Sequence, residues 1–285
     1  MKLWRFVVYA LLLTSALALT RCAQKSDVRP VTVKGSDTMV ILGQRWAEDY
    51  MGSHPGAVVQ VTGGGSGTGI AALINGTTDI CQSSRPMKDA ERAQMKAKFG
   101  REPEEILVAR DGLAIYVNET NPLTELTLAQ ARAIYQGEVE NWKAVGGADA
   151  PILLYSRENN SGTYAYFKEH VLDGGDFSAR AQTLPGTAAV VNAVSKDVNG
   201  IGYGGDAYAK GVKLLALKRD DATPGVLPTD ATIHDESYPL SRGLFFYLRG
   251  APTPEAKSFI DHCLSVEGQK LVTEVGYFPI AKEAH

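Results

Sequence analysis

Short β-branched segments alternate with helix-like segments over most of the 285-residue chain. Residues 31–33 and 58–61 have the composition of strands, whereas apolar residues fall at helical spacing between Met39 and Tyr50. Strands separated by helices predict α/β lobes built on mostly parallel sheets. No fixed-period repeat, low-complexity tract or long flexible linker divides the sequence. Two lobes would therefore need short internal connections.

The N-terminal segment has the pattern of an export signal. Lys2 and Arg5 precede an apolar run over residues 6–19, which is short for a membrane span. We predict a signal peptide over residues 1–21, and a mature protein that is periplasmic or otherwise exported to the cell envelope. An N-terminal membrane anchor that is never cut is the alternative.

The three cysteines raise two separate questions. Cys22 follows the apolar run at the position where a bacterial lipoprotein is acylated, so lipid anchoring through Cys22 is one outcome. Arg21 stands where lipoproteins carry a small residue, and a conventional cut after Ala18 competes with that interpretation. Cys81 and Cys263 could pair in an exported protein. We favour two buried thiols, because cysteine is common as a small apolar core residue.

The charge balance limits the kinds of partner. Formal net charge is −3, and without residues 1–21 the remainder has 26 basic and 32 acidic residues, a net charge of −6. An acidic balance argues against nucleic-acid binding, which usually shows a basic excess. Because the overall field repels anions, any anion site must be a local arrangement.

Three turns rich in glycine and hydroxyl residues each join a predicted strand to a helix N-terminus. They lie at 35–39, 63–69 and 156–163. Free backbone N–H groups and the positive helix end make such turns good anion sites, and serine and threonine hydroxyls can donate to an oxyanion. Arg157 adds a planar charged fork suited to a tetrahedral oxyanion. One turn alone could be a helix cap, but three together predict a shared oxyanion site.

Patterns that would indicate an enzyme are weaker. The glycine turns lack the Gly-Lys-Ser/Thr of a P-loop, and residues 64–68 miss the Gly-x-Ser-x-Gly nucleophile motif. The five histidines show no metal-ligand spacing. Residues 200–205 match Gly-x-Gly-x-x-Gly, but no strand is predicted before them and Asp206 would repel a pyrophosphate. We predict a binding protein without catalytic residues, metal or cofactor. An exported phosphatase-like enzyme and an anion sensor are the alternatives.

The three turns, in this order, resemble those of the phosphate-binding proteins of bacterial ABC importers. The similarity runs from about residue 31 to 280 and includes Asp-Ile-Cys-Gln-Ser-Ser-Arg at 79–85, Ile-Gly-Tyr at 201–203 and Gly-Tyr-Phe-Pro at 276–279. The resemblance implies a type II periplasmic-binding-protein fold, with phosphate closed between two α/β lobes. It also implies delivery to an ABC permease and its ATPase, and we expect a monomer.

The expected lobe boundaries follow from this resemblance and from the strand pattern. We place lobe one at residues 28–112 and 242–285, and lobe two at 113–241. The candidate crossovers are Asp111-Gly112 and residues 238–243. The predicted ligand-binding residues are Ser36, Asp37, Thr38, Met39, Ser66, Ser84, Arg85, Arg157, Ser161, Gly162 and Thr163.

Two positions depart from the best-known family members. Those members carry an aspartate that accepts the phosphate proton and so excludes fully ionised sulfate, whereas the matching residue here is Ser84. They also pair the arginine with an aspartate two residues on, where this chain has Asn159. We hypothesise that Asp37 supplies the acceptor and Arg85 an extra positive contact, because a buried anion without partners is costly. Helix capping by Asp37 and a salt bridge for Arg85 are the alternatives, and sulfate, molybdate or tungstate could replace phosphate.

Overall fold

The computed structural model describes residues 29–280. The predicted signal peptide and Cys22 lie outside the described residues. The strands are β1 Val31–Gly35, β2 Val59–Thr62, β3 Ile80–Ser83, β4 Glu104–Val117, β5 Glu125–Thr127, β6 Leu153–Arg157, β7 Gln182–Leu184, β8 Gly200–Gly205, β9 Lys213–Leu214, β10 Ala216–Lys218 and β11 Ser241–Leu248.

The described residues form nine α-helices. They are α1 Val40–Ser53, α2 Ser66–Asn75, α3 Asp89–Phe99, α4 Leu128–Gln136, α5 Gly162–His170, α6 Gly186–Lys196, α7 Asp230–His234, α8 Pro254–Leu264 and α9 Val266–Val275. Short 3₁₀ turns occupy Asp37–Met39, Trp142–Val145 and Asp206–Tyr208. Caps set the helix ends as expected: Thr127 accepts a hydrogen bond from the Gln130 N–H at the start of α4, and Gly137 ends that helix in the left-handed region.

The main sheet has the order β2-β1-β3-β11-β4-β8-β6-β7, with β9 also paired to β4. β1 is parallel to β2 and β3, and β6 is parallel to β7 and β8, as the alternating pattern predicts. The central pairs are antiparallel, because β4 and β11 run through the middle of the sheet in opposite directions. The fold is therefore the predicted α/β class with a mixed rather than a mostly parallel centre.

The candidate crossover at Asp111-Gly112 lies inside a strand. β4 continues through both residues instead of ending at them. Asp111 pairs in register with Arg242 and Gly112 with Ser241, so β11 supports the backbone where the Asp-Gly pair alone predicts a turn. The Gly-x-Gly-x-x-Gly segment is itself strand β8, which removes it as a dinucleotide-binding turn.

Two large hydrophobic clusters lie on either side of this central crossing. The first includes Trp46, which packs edge-on against Phe246 with ring centroids 5.8 Å apart. The second includes Tyr135 and Phe167, 4.8 Å apart. β4 gives Val108 to the first cluster and Leu113 to the second, so the strand passes from one core to the other near residue 111. The polar residues at this crossing are consequently held between two cores.

The structure answers the question of whether Cys81 and Cys263 pair, and the question of whether a described helix could span a membrane. Cys81 and Cys263 are free and buried, which confirms the prediction of two buried thiols, and burial raises the pKa of both. Among residues 29–280, no helix combines the length and apolar character needed to cross a membrane.

Trp46→Ala tests how much the first core contributes to stability. The indole is fully buried and its N–H donates to the Gly268 carbonyl at 2.8 Å. We expect the free energy of unfolding to fall by about 3–5 kcal/mol, because a large core cavity replaces the ring. Urea unfolding followed by circular dichroism measures this. Val198→Ala is the control, since Val198 is 59% exposed, and an equal loss in both variants would contradict the assignment of the core.

Candidate functional site

The three predicted turns meet between the two cores. The Asp37–Met39 turn follows β1, the second turn leads from β2 into α2, and the third leads from β6 into α5. The first and third turns touch through Thr38 and Thr163, whose Oγ1 atoms lie 2.8 Å apart. Loops after the carboxyl ends of parallel strands are where open α/β sheets place ligands. The structure thus brings together residues that are far apart in the sequence.

Buried hydroxyl groups form the centre of this meeting point. Ser36 Oγ donates to Ser84 Oγ at 2.9 Å, and the Ser84 N–H donates to Ser66 Oγ at 3.1 Å. All three serines are at most 2% exposed. A hydroxyl can rotate to donate to an incoming anion, because its hydrogen has no fixed position. We call Ser36, Ser66, Ser84, Thr38 and Thr163 the hydroxyl cluster.

The N-terminus of α5 faces the hydroxyl cluster. Ser161 caps the helix by accepting a hydrogen bond from the Tyr164 N–H, which leaves the N–H groups of Gly162 and Thr163 in the first turn without intrahelical acceptors. A Cβ at Gly162 would stand 2.8 Å from Ser84 Oγ and closer still to Ser66 Oγ. Only glycine lets this helix end approach the hydroxyls so closely, and the helix end favours a negative charge there.

Arg157 supplies a buried positive charge beside these groups. Its side chain is 1% exposed, with Nη1 donating to Thr187 Oγ1 and Nη2 to Asp37 Oδ2, each at 2.8 Å. Its Nε is buried and has no hydrogen-bond partner among residues 29–280. Burial lowers the pKa of Arg157, and the Asp37 carboxylate opposes this. A guanidinium stays charged at such a site. Its buried Nε–H therefore needs an acceptor such as an anionic ligand.

Asp37 has a different position from the one expected. Its Oδ2 accepts from Arg157, and its Oδ1 accepts from the Gly64 N–H at 2.7 Å. Both oxygens therefore already accept hydrogen bonds, one from a guanidinium and one from a backbone N–H. This argues against the hypothesis that Asp37 accepts a ligand proton. The side chain also does not cap its own helix, since the bond to Gly64 ties the first turn to the second.

The side chains of two other predicted residues have partners outside the hydroxyl cluster. Both Nη atoms of Arg85 donate to the Glu91 carboxylate, at 2.8 and 2.7 Å, so Arg85 forms a salt bridge instead of an extra positive contact. Met39 buries its side chain in the first core, and its N–H donates to the Ser36 carbonyl at 3.1 Å. The nearby carboxylate and the closing of the 3₁₀ turn explain these two corrections.

Several contacts were missed by the sequence reasoning. The Asn160 amide donates to the Gly64 carbonyl at 3.0 Å and to Thr68 Oγ1 at 3.1 Å, while the Asn160 carbonyl accepts from the Gly67 N–H at 2.9 Å. A Cβ at Gly65, where φ is +89°, would lie 2.6 Å from the same carbonyl. The glycines of the second turn are therefore needed for contact with another backbone segment as well as for the turn itself.

A second buried cation borders the hydroxyl cluster. Arg242 donates through Nε and Nη2 to Asp111 Oδ2 at 2.8 and 2.5 Å, and its Nη1 donates to Thr163 Oγ1 at 3.2 Å. Arg242 and Asp111 face each other in the β4–β11 register. Only knowledge of that strand pairing could have linked them, since no local motif contains both.

Comparison with known proteins agrees with this architecture. A model of the PBP superfamily domain matches residues 21–267. The phosphate-binding protein PstS of Pseudomonas aeruginosa is 37% identical over 263 residues, covering 86% of this chain and 81% of that protein. PstS of Bacillus subtilis is 32% identical over 251 residues, covering 88% and 80%.

Solved structures show the same similarity. A phosphate ABC transporter substrate-binding protein from Clostridium perfringens, solved with bound phosphate, superposes with a TM-score of 0.80 at 30% identity and covers 89% of this chain and 100% of that one. An ABC-type phosphate transport receptor from Vibrio cholerae gives a TM-score of 0.70 at 31% identity, covering 87% and 99%.

Gly162→Ala tests the close approach of α5 to the hydroxyl cluster. The added methyl group has no room beside Ser66 and Ser84. We therefore expect the parts of the protein built on the two hydrophobic cores to move apart while each part stays folded. Small-angle X-ray scattering should show a larger radius of gyration with unchanged far-UV circular dichroism. Gly52→Ala is the matched control, because a Cβ there meets nothing within 4 Å. An unchanged radius for Gly162→Ala would show that the approach is looser than described.

Proposed function

Since the chain belongs to the PstS family of phosphate-binding proteins within the PBP superfamily, we propose that it captures inorganic phosphate and delivers it to an ABC importer. The observation that carries this proposal is the buried Nε of Arg157, which has no partner in the described part of the chain, together with the hydroxyl cluster and the α5 N-terminus. These groups are donors that suit a compact oxyanion. The predicted export signal is consistent with capture outside the cytoplasm.

The number of donors is sufficient for useful affinity. Five to seven hydrogen bonds to a charged ligand, at about 1.5–3 kcal/mol each, total roughly 8–20 kcal/mol before costs. Association costs at least about 4 kcal/mol, and micromolar binding needs about 8 kcal/mol net. The proposed donors are Ser36, Thr38, Ser66, Ser84, Arg157, Ser161, Gly162 and Thr163. No bond is made or broken in the proposed role, and the protein acts as a monomer.

The proposed motion is closure of two lobes about the central strands. We assign residues 28–112 and 242–285 to lobe one and 113–241 to lobe two, and the two hydrophobic clusters support this division. β4 and β11 connect the lobes near Asp111 and Arg242 and would act as the hinge. An anion that contacts both lobes favours the closed state, because some of its contacts exist only there.

In this proposal Asp37 holds Arg157 in place across the cleft. The two residues belong to different proposed lobes, so their ion pair forms only when the lobes meet. The arginine would therefore reach its binding orientation as the protein closes. Ser84 offers a hydroxyl where the better-known members have an acidic acceptor, and a hydroxyl can serve either phosphate or a fully ionised oxyanion.

The double variant Ser66→Ala with Arg157→Ala tests the site. We expect at least a hundredfold loss of phosphate affinity, because about 3 kcal/mol or more of donor interactions is removed. Calorimetric titration with phosphate and then sulfate measures this, with circular dichroism to confirm folding. Arg180→Ala is the control, since that arginine is surface-exposed and pairs with Glu140. Full phosphate affinity in a folded double variant would place the site elsewhere.

Asp37→Asn separates the two roles considered for Asp37. If Asp37 orients Arg157, affinities for phosphate and sulfate should both fall by about 10- to 150-fold, as expected for one hydrogen bond to a charged group. Their ratio should then stay near the wild-type ratio. A selective loss of phosphate binding would instead restore Asp37 as the acceptor of the phosphate proton.

A further inference from the structure

Two carboxyl groups lie together at the crossing between the lobes. Asp111 is fully buried on β4, and Asp206 follows β8 directly, where Gly205 pairs with Leu113 of β4. A Cβ at Gly205 would stand 3.0 Å from Asp111 Oδ1. The Oδ1 atoms of both aspartates are buried, and among residues 29–280 no group donates to either one. A proton shared between these two oxygen atoms would give them the hydrogen bond that they otherwise lack.

The single cation nearby does not serve both acids. Arg242 directs Nε and Nη2 to Asp111 Oδ2, and its remaining Nη1 goes to Thr163. Asp111 thus has a cationic partner, whereas within the described residues Arg242 makes no hydrogen bond to Asp206. Two adjacent buried carboxylates do not both ionise readily. Burial and the charge of Asp111 raise the pKa of Asp206 to about 9, while a hydrogen bond from the Ala207 N–H and the charge of Arg242 act in the opposite direction.

The surrounding phenols cannot supply the missing hydrogen bond. Tyr116, Tyr238 and Tyr277 are the other titratable groups that face Asp206, and burial raises the pKa of each, so they remain neutral. Their hydroxyls donate to backbone carbonyls: Tyr116 to Gly205, Tyr238 to Leu113, and Tyr277 to Thr38. The proton of Asp206 is left as the donor to Asp111 Oδ1.

The position of Asp206 ties this proton to lobe closure. Asp206 begins the turn Asp206–Tyr208, in which Ala207 packs against the first core and Tyr208 donates to the Asp37 carbonyl at 2.7 Å. Tyr277, on the C-terminal segment of lobe one, closes the same side. In the proposed opening motion, Tyr208 would part from the Asp37 carbonyl and water would reach the Asp206 carboxyl group. Ionisation of Asp206 then becomes easier, because burial is the main obstacle to it.

We propose that closure of the lobes on phosphate takes up one proton, held between Asp206 and Asp111, and that Asp206 is a positioning residue for capture. This inference rests on the proposed function. The closed state binds the proton more tightly than the open state. By linkage, phosphate affinity therefore falls as pH rises from the Asp206 pKa of the open state to that of the closed state. The fall can reach tenfold per pH unit in that interval.

Calorimetry in several buffers tests the inference directly. Phosphate is titrated at pH 8.5 in buffers of different ionisation enthalpy, and the slope of the binding enthalpy against that quantity gives the protons taken up. At pH 8.5 free phosphate is almost entirely the singly protonated dianion, so its own titration adds little to the measured uptake. We expect net uptake by the wild type, and a phosphate affinity that declines from pH 8 towards the closed-state Asp206 pKa of about 9.

Asp206→Asn should abolish both effects, because an amide donates to Asp111 Oδ1 at every pH. Asp221→Asn, a change at an exposed carboxyl group, should behave as the wild type. Zero uptake by the wild type, or undiminished uptake by folded Asp206→Asn, would overturn the inference. A wild type that binds no phosphate would overturn the proposed function instead.

Infrared spectroscopy gives a second test that does not depend on a variant folding. The difference spectrum of the wild type at pH 8.5, with and without phosphate, should gain the C=O band of a protonated carboxyl group. A spectrum without that band would contradict proton uptake at Asp206.

Discussion

The ion pair between Asp37 and Arg157 joins the two halves of the protein where their turns meet. A fully buried guanidinium without a partner would be strongly unfavourable, so the carboxylate makes this position of the arginine possible. Thr187 and Asp37 bind its two Nη nitrogens, and the remaining Nε is buried without a hydrogen-bond partner in the described part of the chain. The fit of α5 against Ser66 and Ser84 depends on the same alignment of the halves.

A protein with an acidic overall balance can bind an anion because its positive charge is placed locally. Arg157 and Arg242 each hold a carboxylate on one side and border the hydroxyl cluster on the other. Each carboxylate limits the long-range field of its arginine while fixing its orientation. Selection for the anion therefore rests on short-range hydrogen bonds, which depend on the shape and protonation of the ligand more than on its charge alone.

Local sequence patterns predicted most of the longer strands and helices and the three turns, because caps, glycines and periodicity act over a few residues. They failed where a partner lies far along the chain. Asp37 meets a residue 120 positions away, and the continuity of β4 through Asp111-Gly112 depends on hydrogen bonds from β11. Arg85 was assigned to the anion although Glu91, six residues on, holds both of its Nη atoms. Residue types alone do not show whether a charged side chain such as Arg85 pairs with a nearby carboxylate or with a ligand.

The contacts of Asn160 lie beside the hydroxyl cluster rather than within it. They join the third turn to Gly64, Gly67 and Thr68 through one amide and one carbonyl, without using the groups proposed to bind phosphate. Their strength would thus set how long a closed protein keeps its cargo before the lobes part. A change at Asn160 would therefore alter the lifetime of the closed form while leaving the groups proposed to bind phosphate in place.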